Sequence, residues 1–166
     1  AVPTEEVPAP TAEQADYRSR LHAQATGDGV TVAVIDTGVH PHPQLGQLDP
    51  GPDFVDPEKP NPLEDCDAHG TVVAGIIAAA DTGVAPGARV LSIRQTSAHY
   101  RTAGEDGGQE GSAAGNLDTL AEAIEAAVAE EADVVNISVV SCLPAGTNVD
   151  TGRLDAALEL SLIHIS

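Results

Sequence analysis

Asp36 and His69 are the two residues whose surroundings suit proton transfer. Asp36 closes the run from Val30 to Ile35, β-branched residues with one Ala, and is followed by Thr37 and Gly38. Ligands of open α/β sheets meet the protein at the carboxyl ends of the strands, so a carboxylate there can orient a base or bind a cation. It can equally cap the next turn through Thr37 and Gly38. His69 is followed by Gly70, Thr71 and an apolar stretch that reads as a helix. The positive end of a helix disfavours an imidazolium, whereas a nearby carboxylate favours it and fixes the tautomer; together they poise an imidazole as a general base. A lone histidine at a helix start also serves as a cap or a packing group, so the catalytic reading of His69 requires that Asp36 reach it.

Other chemistries fit less well. His40, His42, Cys66, Asp67 and His69 carry metal-ligand atoms, and His40-Pro41-His42 could chelate. The spacing matches neither a helical His-Glu-x-x-His motif nor a zinc ribbon, so neither a metal nor any other cofactor is predicted. Gly27-Asp28-Gly29 precedes its strand, the wrong side for a dinucleotide fingerprint. Cys66 and Cys142 are the only cysteines, too few for a disulfide scaffold. They are compatible with one bridge in an oxidising compartment or with two reduced thiols.

The elements that must position Asp36 and His69 are built from an unusual composition. The 166 residues suffice for one domain, and 42% are hydrophobic, enough for a core. Only Tyr17, Phe54 and Tyr100 are aromatic, so Ala, Val, Ile and Leu must fill that core and no platform for stacking bases exists. A formal charge of −19 opposes contact with phosphate backbones and anionic lipid, which disfavours nucleic-acid and membrane-surface roles. No stretch reaches the roughly 18 apolar residues that span a bilayer. Ala1 and the absence of Met mark a processed or partial chain, with any signal peptide outside it.

Along the chain, Pro3, Pro8 and Pro10 make residues 1–15 an extended arm, and residues 16–166 are read as one partial domain. Residues 16–24 are weakly helical. Val30 to Ile35 forms a strand buried on both faces and ending at Asp36. Residues 39–67 hold seven prolines and read as a long connection with one short strand around Phe54. His69 to Ala80 is apolar almost all round and reads as a buried helix, with Asp67 placed to cap it. Val90 to Ile93 is a second strand, residues 95–116 a glycine-rich loop, and residues 117–128 an amphipathic helix capped by Asn116. Asp133 to Val140 is the third strand and Leu154 to Leu162 the start of another helix. This alternation predicts an α/β fold, a parallel sheet flanked by helices, truncated at its C-terminal side with one edge and face uncovered.

At this point a resemblance emerges. Gly27-Asp28-Gly29-Val30-Thr31-Val32-Ala33-Val34-Ile35-Asp36-Thr37-Gly38-Val39 resembles the segment bearing the catalytic aspartate of subtilisin-like serine proteases, and His69-Gly70-Thr71-Val72-Val73-Ala74-Gly75 resembles their histidine segment. Gly83 to Ala88 looks like the turn and strand that follow, and Asp133 to Ser138 like the strand lining the substrate cleft. Residues 65–71, 93–97 and 141–145 look most like the mycosins, membrane-anchored proteases of actinobacterial type VII secretion.

The resemblance implies acyl transfer with a triad in the order Asp, His, Ser. Asp36 would orient His69, and an extended peptide or protein substrate would pair with Ser138, Val139 and Val140. It also implies an extracellular or cell-envelope protease whose partners include type VII secretion components and whose signal peptide and membrane anchor lie outside this chain. For Cys66 and Cys142 it favours cysteines outside the chain as partners, beside the open alternatives of a mutual bridge or free thiols. Two departures accompany it. Many relatives have Ser-Leu-Gly where this chain has Ser138-Val139-Val140, a narrower approach for a substrate side chain. No Gly-Thr-Ser nucleophile segment and no Ala-Ala-Gly-Asn oxyanion segment is present. Ser112, in the glycine-rich loop, is a poor substitute nucleophile because nothing preorganises it. The chain by itself is therefore expected to be inactive, and the competing reading is a pseudoprotease that holds extended peptides without cutting them.

Overall fold

The computed structural model describes residues 11–99, 115–138 and 150–163. Its centre is a four-stranded parallel sheet in the order β2-β3-β1-β4, formed by β1 (Thr31–Asp36), β2 (Gln47–Asp53), β3 (Arg89–Arg94) and β4 (Val134–Ile137). Helices α1 (Ala12–His22), α2 (His69–Ala78), α3 (Leu117–Ala129) and α4 (Gly152–Ile163) alternate with it. The α/β class and parallel arrangement agree with the order of elements predicted above.

β1 is buried along its whole length because side chains alternate between two apolar clusters. Val32, Val34 and Val90 face Ala74 and Ala78 of α2. Ala33, Ile35, Leu91 and Ile93 face Ala121, Ala123, Ile124 and Ala127 of α3 and Ala157 of α4. Small alanines on the helices take the place that aromatic residues would fill, which lets the backbones approach closely. Asn116 caps α3 by accepting from the Thr119 amide at 2.8 Å, as its position predicts.

Four expectations are corrected. Residues 12–15 belong to α1, where Thr11 and Gln14 form a capping box, so the stretch read as an extended arm becomes helical at Ala12; residues 1–10 lie outside the described part. The short strand is β2, which ends at Asp53 just before Phe54 and contains Pro50 and Pro52. Prolines are tolerated there because β2 is an edge strand with a register irregularity between Pro50 and Asp53. α2 is not buried all round: Val72 and Ile76 are 60% and 62% exposed on the face turned from the sheet. Asp67 does not cap it either, as described below. β4, at the other sheet edge of the described residues, leaves Val134 and Ile137 exposed, in keeping with the predicted uncovered edge.

Candidate active site

The carboxyl end of β1 delivers Asp36 into the interior, where its side chain is 1% exposed. Parallel pairing fixes this end from both sides: β3 places Arg94 opposite Asp36, and the Asp36 carbonyl accepts from the amides of Gln95 at 2.9 Å and Thr96 at 3.3 Å. His69 is the first residue of α2, the helix packed across β1 and β3. The two segments meet. His69 Nδ1 lies 2.8 Å from Asp36 Oδ1 and 3.0 Å from Oδ2.

A carboxylate can only accept, so Nδ1 carries the proton and Nε2 is the nitrogen left to take one from a nucleophile. The His69 side chain is 56% exposed, open to a reacting group. The hydrogen bond that His69 donates to Asp36, and the charge of Asp36, raise the imidazole above its ordinary value, burial opposes the shift, and the charges of Asp65 and Asp67 add to it. The base is thus lost by protonation at a higher pH than a free histidine would be. Asp36→Asn should move the His69 midpoint down, a change that imidazole NMR across a pH series reads directly. For stability the sign is the opposite of the usual carboxylate case. The pair favours the protonated imidazole, so its contribution is fully present below the histidine value of the unfolded chain. It disappears as pH rises through the elevated native value.

The approach of the two segments leaves no space for a side chain at Gly70. A Cβ on Gly70 would overlap the Gly38 carbonyl oxygen and sit 3.1 Å from Asp36 Oδ1, while Gly38 itself holds φ +102°, where L side chains are strained. Gly70→Ala should therefore push α2 off the end of β1 and destabilise the fold by about 1–3 kcal/mol. A lowered denaturation midpoint with loss of the Asp36–His69 contact would be the signature; a variant of unchanged stability would refute the close approach.

Ser138 follows β4 directly, its amide 3.5 Å from the Ile35 carbonyl and its hydroxyl accepting from Asn136 Nδ2 at 2.6 Å. It therefore neighbours the Asp36 end of β1. Val139 and Val140, the other proposed cleft residues, lie outside the described residues, as do Ser112 and Cys142. Cys66 is exposed and bridges no described residue; partial desolvation and the nearby Glu64 raise its thiol above the ordinary range. Among the described residues no group of three or more His, Cys, Asp or Glu side chains converges as a metal site.

Sequence reasoning missed two carboxylates. Asp67, expected to cap α2, turns instead to the segment after β3, accepting from Ser97 Oγ at 2.6 Å, from the Ala98 amide and from His99 Nδ1 at 3.2 Å. Burial opposes its ionisation, yet these hydrogen bonds outweigh burial and hold its carboxyl below the usual range. The acceptor for the start of α2 is Asp65, which takes the Thr71 amide at 2.8 Å. The Asp65 position follows no capping rule because Ala68, the residue preceding the helix, adopts a left-handed φ of 61° and offers no side-chain oxygen.

A buried carboxylate at a strand end, hydrogen-bonded to the inner nitrogen of a half-exposed imidazole at a helix start, is an arrangement suited to general-base chemistry on a parallel α/β frame. Residues 27–163 match the model of the Subtilase family of peptidases, and the chain belongs to that family. Within it the chain is 45% identical to Mycosin-3 of Mycobacterium tuberculosis over 144 residues, which is 82% of this chain and 31% of that protein. It is 40% identical to Mycosin-1 of Mycolicibacterium smegmatis over 159 residues, 89% of this chain and 35% of that protein. Its fold superposes on the MycP3 protease of the type VII (ESX-3) secretion system with a TM-score of 0.80 at 38% identity, covering 98% of this chain and 46% of that one. The periplasmic assembly of the ESX-5 inner membrane complex gives 0.80 at 34% identity, covering 98% and 45%. The chain thus spans about a third of the length of these curated relatives.

Proposed function

We propose that the protein containing this chain is a mycosin-like serine endopeptidase, with Asp36 and His69 as two members of its triad. The observation that carries the reading is the Asp36–His69 hydrogen bond, at the range and with the burial that a general base needs. In the proposed cycle a serine hydroxyl supplied from beyond this chain attacks the scissile carbonyl while His69 Nε2 takes its proton. The tetrahedral intermediate collapses as the imidazolium returns that proton to the leaving amine, and water then releases the acyl group by the same exchange. Asp36 stabilises the imidazolium throughout without itself being protonated.

The substrate is an extended peptide laid beside Ser138, Val139 and Val140, in the manner of an added strand. Similarity to proteases of type VII secretion and to the ESX-5 inner membrane complex supports secretion-system components as partners and the cell envelope as the location. The test is cleavage of a peptide library by the full-length product of the encoding gene, with and without a serine-directed fluorophosphonate. Cleavage abolished by the reagent is expected. A full-length protein that binds extended peptides yet never cuts them would replace this reading with that of a pseudoprotease.

A further inference from the structure

The amides at the start of α2 need acceptors, and Ala68 offers no side-chain oxygen, only its carbonyl to the Val72 amide. They are found outside the helix. Asp65 Oδ2 accepts from both the amide (2.8 Å) and the hydroxyl (2.6 Å) of Thr71, and Asp65 Oδ1 accepts from the Thr37 hydroxyl at 2.8 Å. The Thr37 oxygen in turn accepts from the Gly70 amide at 3.0 Å, and the Thr37 amide donates to Asp36 Oδ1 at 2.7 Å. Thr71 Oγ1 closes the circuit by accepting from the His40 amide at 2.9 Å. One carboxylate therefore joins the segment leaving β1, which carries Asp36, to the helical turn that begins with His69. Its negative charge is favoured there by the helix dipole.

We infer that Asp65 is a positioning residue that holds the His69 imidazole in register with Asp36 by cross-linking Thr37 to Thr71. The inference deepens the proposed triad reading and rests on it. Asp65 makes no hydrogen bond to His69; beside the charge it adds near the imidazole, it acts through the Thr37 hydroxyl and the amide and hydroxyl of Thr71. The adjacent carboxylate Asp67 is anchored elsewhere, on Ser97, Ala98 and His99, and so provides a control of similar charge and location.

The test is the imidazole ¹H–¹⁵N spectrum of His69 in the present chain. The wild type should show a low-field Nδ1–H and a single tautomer. Asp65→Ala should lose both while the amide spectrum of the sheet is retained. Asp65→Asn should keep them, because its carbonyl oxygen still serves Thr71 and its amide can donate to the Thr37 hydroxyl. Asp67→Ala should also keep them. If Asp65→Ala does not fold, Thr37→Val decides, since it preserves the carboxylate and removes the hydroxyl through which both Asp65 and the Gly70 amide are tied to the β1 side; loss of the His69 signal then supports the inference. A wild-type His69 signature in the Asp65→Ala or deciding Thr37→Val protein would overturn it, as would an equal loss in Asp67→Ala. A wild type lacking the Nδ1–H altogether would instead bring down the dyad itself, and with it this inference.

Discussion

His69→Ala in the full-length protein is expected to lower the peptide-hydrolysis rate by about six orders of magnitude, and Asp36→Asn by about four, the scale of triad removal in subtilisin. The two losses have different causes. Without the imidazole no group takes the nucleophile's proton, and the hydroxyl must attack at its unassisted reactivity. Asp36→Asn retains the imidazole but offers it a donating amide in place of a pure acceptor. The proton is then driven to Nε2, the nitrogen that has to be empty, and the imidazolium formed in the reaction loses its counter-charge. Steady-state kinetics, with circular dichroism to confirm an unchanged fold, measures both effects. Wild-type turnover in either variant would remove that residue from the mechanism.

The second large effect falls on stability. Asp53→Ala should destabilise the fold by about 3–5 kcal/mol, the cost of taking one partner from a buried ion pair. Asp53 ends β2 and faces Arg94 at the end of β3, with Oδ2 3.3 Å from Nη1 and side chains 0% and 1% exposed. The same carboxylate organises the connection that leads toward His69. Oδ1 accepts from the amides of Val55 at 2.8 Å and Asp56 at 3.1 Å, and Oδ2 from Asn61 at 2.9 Å. Truncation would strand these amides and remove the fully buried carboxylate that faces the guanidinium. Asp49, paired with Arg89 at 3.0 Å but with both side chains more than a third exposed, gives the contrast: Asp49→Ala should cost no more than about 1 kcal/mol. Urea denaturation of the two variants at constant m-value distinguishes them, and equal losses would show that burial is not what gives the Asp53 pair its weight.

This difference between two surface-looking aspartates also marks the limit of what residue patterns reveal. The buried strand ending at Asp36, the amphipathic helix from Leu117 and its Asn116 cap were all legible, because each depends on a local period or a local hydrogen bond. β2 was misplaced because Pro50 and Pro52 argue against a strand until its edge position is known. The exposed Val72–Ile76 face of α2 was hidden for a related reason: an all-apolar helix does not say which of its sides meets the sheet. Asp67 was assigned the role of Asp65 because capping rules assume an ordinary residue before the helix, and Ala68 takes a left-handed conformation instead.

By itself the sequence determined the α/β alternation, the family resemblance and the identity of the Asp36 and His69 candidates, since these are written in short contiguous runs. Tertiary structure alone decided that Asp36 and His69 meet at 2.8 Å, that Gly38 and Gly70 allow that approach, and that Asp65 and Thr37 tie the segments together. Those contacts join residues about thirty positions apart, and only the pairing of β1 with β3 and the packing of α2 across them converts that separation into hydrogen-bonding distance.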